Sequence, residues 1–249
     1  MLLWSLLAET IRANLHGNLE HAAEARTRIS KRADELGISA AGRLYNQHLS
    51  FRSLLHLGRG EEALADLPEA EQLAGSQIFS STVRFGWGAL CLAHMGRAAE
   101  AQAQLSEDLK QLNLSAKKDD TPASILTTLL ELAVLVRNRE TASLLAKRLL
   151  DVARNLGKAS VLLGDLTAAR ANYERVLDWA TRIRFRPEIA LTRFELAKLL
   201  LSEAKDASES DAAAALRSGA QAHLDFAISE FQATKMKPAL EQALRTQER

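Results

Sequence analysis

Five turn positions along the chain are each followed, five residues later, by an alanine, and this spacing restricts the possible folds more than any other feature. The stretch VLLGDLTAARANYERVLDWA, residues 161–180, shows how one copy works. Its apolar run stops at Gly164-Asp165 and a second run begins at once. Glycine takes the left-handed conformation that ends a helix, and aspartate accepts bonds from the free amides that begin the next, so the stretch reads as a helical hairpin. The same pattern stands at Gly17 in LHGNLEHAAEA, Gly58 in LGRGEEALADL and Gly96 in HMGRAAEAQAQL, and Arg137 takes the glycine's place in LVRNRETASLLA. The alanines are Ala22, Ala63, Ala101, Ala142 and Ala169. A residue there is the first inward-facing position of the second helix, where the two helices approach most closely and a larger side chain would push them apart.

The turns are spaced by 41, 38, 41 and 27 residues, the period of stacked helical hairpins. Nine residues past the turn, Leu67, Leu105 and Tyr173 are core positions one helical turn further along, while Arg26 and Ala146 depart from the rule. Gly88-Ala89 and Leu156-Gly157 put small residues on the first helix where it needs close contact. With only 12 glycines and 4 prolines in 249 residues, long stretches run without a breaker, and strand-forming residues are few. The expected fold is all-α, an α-α superhelix: a right-handed solenoid of stacked antiparallel hairpins forming one domain over 1–249. Hairpins turn near 17, 58, 96, 137 and 164, and a C-terminal hairpin and capping helix fill 187–249. Arg186-Pro187, Lys237-Pro238 and Thr121-Pro122 each open a helix, and Pro68 should kink one. LSEAKDASESDAAAAL is a polar bend between helices. The last spacing is short, and fits either two helices of about 11 residues or one helix running from Glu140 towards Leu163.

The alternation of small residue, turn glycine and alanine resembles the tetratricopeptide repeat, in a form longer than its usual period of about 34 residues. RIRFRPEIALTRFELAKLLL and HLDFAISEFQATKMKPALEQALR resemble the tail of the tetratricopeptide-like region in large bacterial signalling proteins. There such a region follows a nucleotide-cyclase domain and an AAA-type ATPase module, or precedes a LuxR-type DNA-binding domain. The resemblance implies a helical-repeat region of a signalling system, and none of those other modules lies in this sequence.

No enzyme is expected. The sequence has no HExxH, no Cys-x-x-Cys, no nucleophile elbow and no phosphate loop, so no catalytic residues, cofactor or metal are assigned. Its six histidines are scattered without ligand spacing. A net charge of +1 creates no global field towards nucleic acid or membrane, and the apolar start MLLWSLLAET is too short to span a bilayer. One cysteine, Cys91, suits a reducing compartment, and the expected location is the cytoplasm.

Stacked hairpins offer a concave surface lined by the first helix of each pair. Counting back six residues from the turns gives Ile11, Arg52, Leu90, Glu131 and Lys158; ten back includes His48 and Arg154, thirteen back Tyr45, and two back His56 and His94. The expected partner groove is Tyr45, His48, Arg52, His94, Arg154 and Lys158, basic and part aromatic, suited to an acidic segment, although the same residues also fit an ordinary solvated surface. Arg182, Arg184 and Arg186 read as a solvated loop or as an anion contact. The leading function is a non-catalytic protein-binding scaffold. The alternatives are the regulatory part of a multidomain cyclase or ATPase, binding its own upstream signalling domains, and a sensor of a small effector. The first helix opens without a cap, so Met1 is not expected to be the natural edge of the array, or else Trp4, Leu7 and Ile11 are covered by a partner or a second copy.

Overall fold

All five turn residues adopt the left-handed conformation, with φ of 76° at Gly17, 77° at Gly58, 80° at Gly96, 58° at Arg137 and 89° at Gly164. The amide of the following residue then reaches back across the turn, as Asn18 to Ala13, Arg59 to Leu54, Arg97 to Leu92, Asn138 to Ala133 and Asp165 to Ser160, at 2.8–2.9 Å. This bond satisfies a carbonyl left over at the helix end, which is why the chain reverses within two or three residues. Asp165 then caps the next helix by accepting from the Ala168 amide at 2.9 Å. The same turn recurs at Gly37, Arg184 and Lys235.

The computed structural model describes residues 2–65, 67, 85–112, 123–146, 153–207 and 211–248; for 43, 44, 47, 48, 123, 124, 153 and 154 it describes only their place in a helix. Pro68 and Thr121-Pro122 lie outside the described residues. The described residues form helices α1 (Leu3–Leu15), α2 (Leu19–Glu35), α3 (Ser39–His56), α4 (Gly60–Ala65), α5 (Trp87–His94), α6 (Ala98–Leu112) and α7 (Ala123–Leu135). There follow α8 (Arg139–Ala146), α9 (Ala153–Leu163), α10 (Leu166–Arg182), α11 (Arg186–Asp206), α12 (Asp211–Ala233) and α13 (Lys237–Gln247). The fold is all-α, an array of helix hairpins in which each helix packs on the next. First helices of successive hairpins also stack, α1 on α3, α5 on α7, α7 on α9 and α9 on α11. Helices α8 and α9 pack on each other, so the single-helix reading of this segment is excluded: an unbroken helix would carry them apart at about 1.5 Å per residue. Arg186-Pro187 and Lys237-Pro238 open α11 and α13; α11 ends at Asp206 and α12 begins at Asp211.

The repeat spacing is a packing rule. All five alanines at the fifth position are at most 1% exposed. Leu67, Leu105 and Tyr173 are buried four residues further on. The small residues on the first helices face these second helices: a Cβ on Gly157 would lie 2.4 Å from Tyr173 Cε1, and one on Gly88 would lie 2.9 Å from Gln104 Nε2. One large cluster of buried side chains runs from Leu19 through Leu129 and Leu130 to Phe231, while Leu3, Leu6 and Leu7 pack with Ala25 and Ile29 at the first hairpin. Leu7 is therefore covered by its own chain, whereas Trp4 and Ile11 are exposed.

The last turns reach the first. Gly17 lies so close to Thr234 that a Cβ there would be 2.4 Å from Thr234 Cγ2, and one on Gly58 would be 3.2 Å from Pro238 Cγ. Arg186 donates to Glu230 through Nε at 2.9 Å and Nη2 at 3.1 Å, and through Nη1 to the His16 carbonyl at 3.2 Å. Lys235 Nζ is 3.6 Å from Glu20 Oε1.

Candidate functional site

The position six residues before each turn changes character along the array. Ile11 is exposed, Leu90 is fully buried, and Glu131 on α7 is buried although it carries a carboxylate. A buried carboxylate costs several kcal/mol of desolvation unless it is paired, and Glu131 is paired with Arg52 of another hairpin. Arg52 on α3 donates through Nη1 to Glu131 Oε2, and His94 Nε2 on α5 stands 3.6 Å from Oε1, too far for a hydrogen bond. The site joins the first helices of three successive hairpins. Beside it Phe51 stacks on Trp87, ring centres 5.0 Å apart, and holds α3 against α5.

Lys158, at the equivalent position on α9, pairs with Glu195 of α11 at 3.4 Å, and Lys198 takes the other oxygen of the same carboxylate at 2.6 Å. Arg52 and Lys158 thus each meet a carboxylate on a different hairpin. Guanidinium geometry leaves Arg52 further N–H donors beyond the one directed at Glu131, and its side chain is 38% exposed.

Of the six residues expected to line a groove, Arg52 and His94 come together on Glu131, and Lys158 lies on a second carboxylate. Tyr45 sits two turns before Arg52 on α3, its ring 6.1 Å from Trp4 in an edge-to-face arrangement, and so belongs to the packing of the first hairpin. The side chains of His48 and Arg154 lie outside the described residues. Glu195 and Lys198 were not among the candidates, because no glycine stands between α11 and α12 to give a turn from which to count back. The cluster Arg182, Arg184 and Arg186 disperses: Arg182 pairs with Asp178 at 2.7 Å, Arg184 is the exposed turn residue, and Arg186 joins Glu230.

Among the described residues no group of three or more histidines, cysteines and carboxylates is placed to hold a metal ion, and no helix is long and apolar enough to cross a membrane. Burial pushes the Cys91 thiol up to about 12, which leaves no thiolate at neutral pH. No protein-family model matches the chain, and no curated protein matches it.

Proposed function

We propose that the chain is a non-catalytic helical-repeat scaffold that holds an acidic segment of a partner protein along its inner face. The observation that carries this reading is the presentation of cations: Arg52 and Lys158 come from two hairpins and are each held in place by a carboxylate of another, with His94 beside the first of these carboxylates. Orienting long side chains beforehand lowers the entropy cost of binding. An incoming carboxylate takes the open donors of Arg52 or competes with Glu195 for Lys158, so that no charge is left buried and unpaired. The placement in a tetratricopeptide-like part of a bacterial signalling system rests on the likeness of the C-terminal stretch to such regions, and a cytoplasmic location on the single cysteine.

The test is capture of partners from the native host with the wild-type chain and with an Arg52→Lys, Lys158→Gln double variant. Arg52→Lys keeps a charge on Glu131 while removing the planar fork; Arg52→Glu would set two carboxylates together and confuse binding with unfolding. The expected outcome is loss of a partner whose bound segment is acidic and whose capture weakens with salt. Identical partners at matched salt would refute the reading.

A further inference from the structure

A half-buried cation with no carboxylate within 4.0 Å among the described residues lies on α11, the helix that also carries Glu195. Every other half-buried arginine or lysine with a described side chain, from Arg26 to Arg186, stands within 3.7 Å of a carboxylate. Arg193 has none among the described residues; its guanidinium rests on the ring of Phe226, 4.3 Å from the centroid, and its Nε is buried without an acceptor. His223 stands one helical turn before Phe226 on α12, half-buried, and its Nδ1 is likewise buried without a partner. Burial first, then the charges of Arg193 and Arg170, hold His223 below its ordinary value of 6.5. The neighbouring carboxylates are committed: Glu203 to Arg170, and Asp225 to Gln221 and Gln247. Among the described residues no carboxylate therefore stands within 4.0 Å of the Arg193 guanidinium, and its charge bears on His223.

We propose that Arg193 and His223 form a binding site for a phosphate group, free or carried as a monoester. The Arg193 guanidinium lies over the Phe226 ring, and arginine grips phosphate oxygens in plane through its paired N–H groups. His223 supplies a second donor from the neighbouring helix. A dianion offsets both centres at once, whereas a single carboxylate leaves one of them unmatched. Binding stabilises the imidazolium, so the site takes up a proton with its ligand.

The experiment is an NMR titration of the His223 ring, identified by its loss in His223→Gln, in inorganic phosphate against chloride at equal ionic strength. The site requires a saturable movement of the His223 resonances by about 20 mM phosphate, an affinity range accessible to a two-contact site, and a raised His223 pKa. Arg193→Gln should weaken binding roughly tenfold or more, and Arg193→Lys less, since it keeps the charge without the fork. O-phosphoserine run in parallel distinguishes the sources: tighter binding than inorganic phosphate assigns a monoester, and equal binding assigns free phosphate. No saturable movement with either, acetate binding as well as phosphate, or an unchanged affinity in folded Arg193→Gln and Arg193→Lys would each overturn the site.

Discussion

Replacing Gly157 by alanine should destabilise the protein, although the same change elsewhere in a helix stabilises it. Gly157 lies inside α9, and a methyl group there would stand 2.4, 2.6 and 2.9 Å from three ring carbons of Tyr173. Carbon atoms in contact prefer about 3.5–4.0 Å, so the ring or the helix must withdraw by roughly 1 Å. Tyr173 is 1% exposed, and no open space receives it. Overpacking of this kind costs about 1–3 kcal/mol, and three simultaneous clashes place it near the upper end, against about 1 kcal/mol gained from alanine's helix propensity. The net loss is about 2 kcal/mol, a fall in Tm of roughly 4–8 °C for a chain of this size. Gly219→Ala is the control, because its methyl group would meet only Leu200 Cδ1 at 3.6 Å, an ordinary contact. That variant should gain about 0.5–1 kcal/mol. Denaturant unfolding of both variants, and of Gly157→Ala in a Tyr173→Ala background where the cavity accepts the methyl group, measures the coupling. If Gly157→Ala stabilises as much as Gly219→Ala, the close approach of α9 and α10 is wrong and the repeat register falls with it.

Three further outcomes follow from the packing. Ala169→Leu, at a fully buried crossing beside Tyr173, Leu196 and Leu199, should cost about 1–3 kcal/mol in the same assay. In chloride, stability should drop as pH falls from 6.5 through the depressed value of His223, because the unfolded chain takes up that proton first; His223→Gln should lose this part of the pH dependence. Cys91, buried and with its thiol pushed up to about 12, should stay unreactive to a thiol reagent in the native chain and react when denaturant unfolds it.

The turns and the alanines five residues beyond them were legible because both are local: a left-handed residue ends a helix, and a small residue admits the helix that follows. Gly37 has the same turn geometry yet escaped the pattern, since it joins one hairpin to the next and carries no alanine at the matching distance. Arg184 and Lys235 escaped because, unlike Arg137, they lack both the glycine and the alanine five residues on, where Ile189 and Leu240 stand; the left-handed conformation costs each roughly 1–2 kcal/mol that tertiary packing has to offset. The inner face was legible only as a set of positions. Arg52 and Glu131 are 79 residues apart, and no spacing rule within one helix foretells that two hairpins will bring them together. The position of Arg193 over Phe226 is likewise fixed by the crossing of α11 and α12, which the sequence locates but does not align.

The meeting of the Gly17 and Gly58 turns with Thr234 and Pro238 changes how such an array must fold. In an open solenoid each unit touches only its neighbours, so stability adds up one interface at a time and the outer units fray alone. Here Gly17 meets Thr234, 217 positions away in the chain, and Gly58 meets Pro238, 180 positions away, so the first two hairpins are tied to the last helices. That raises the contact order and slows folding, since a long loop must close before the contact repays it. It also makes the number of hairpins a matter of geometry: inserting or deleting one would move Thr234 away from Gly17 and leave both surfaces uncovered. Repeats that are interchangeable along an open rod become, in this chain, members of a closed circuit of fixed length.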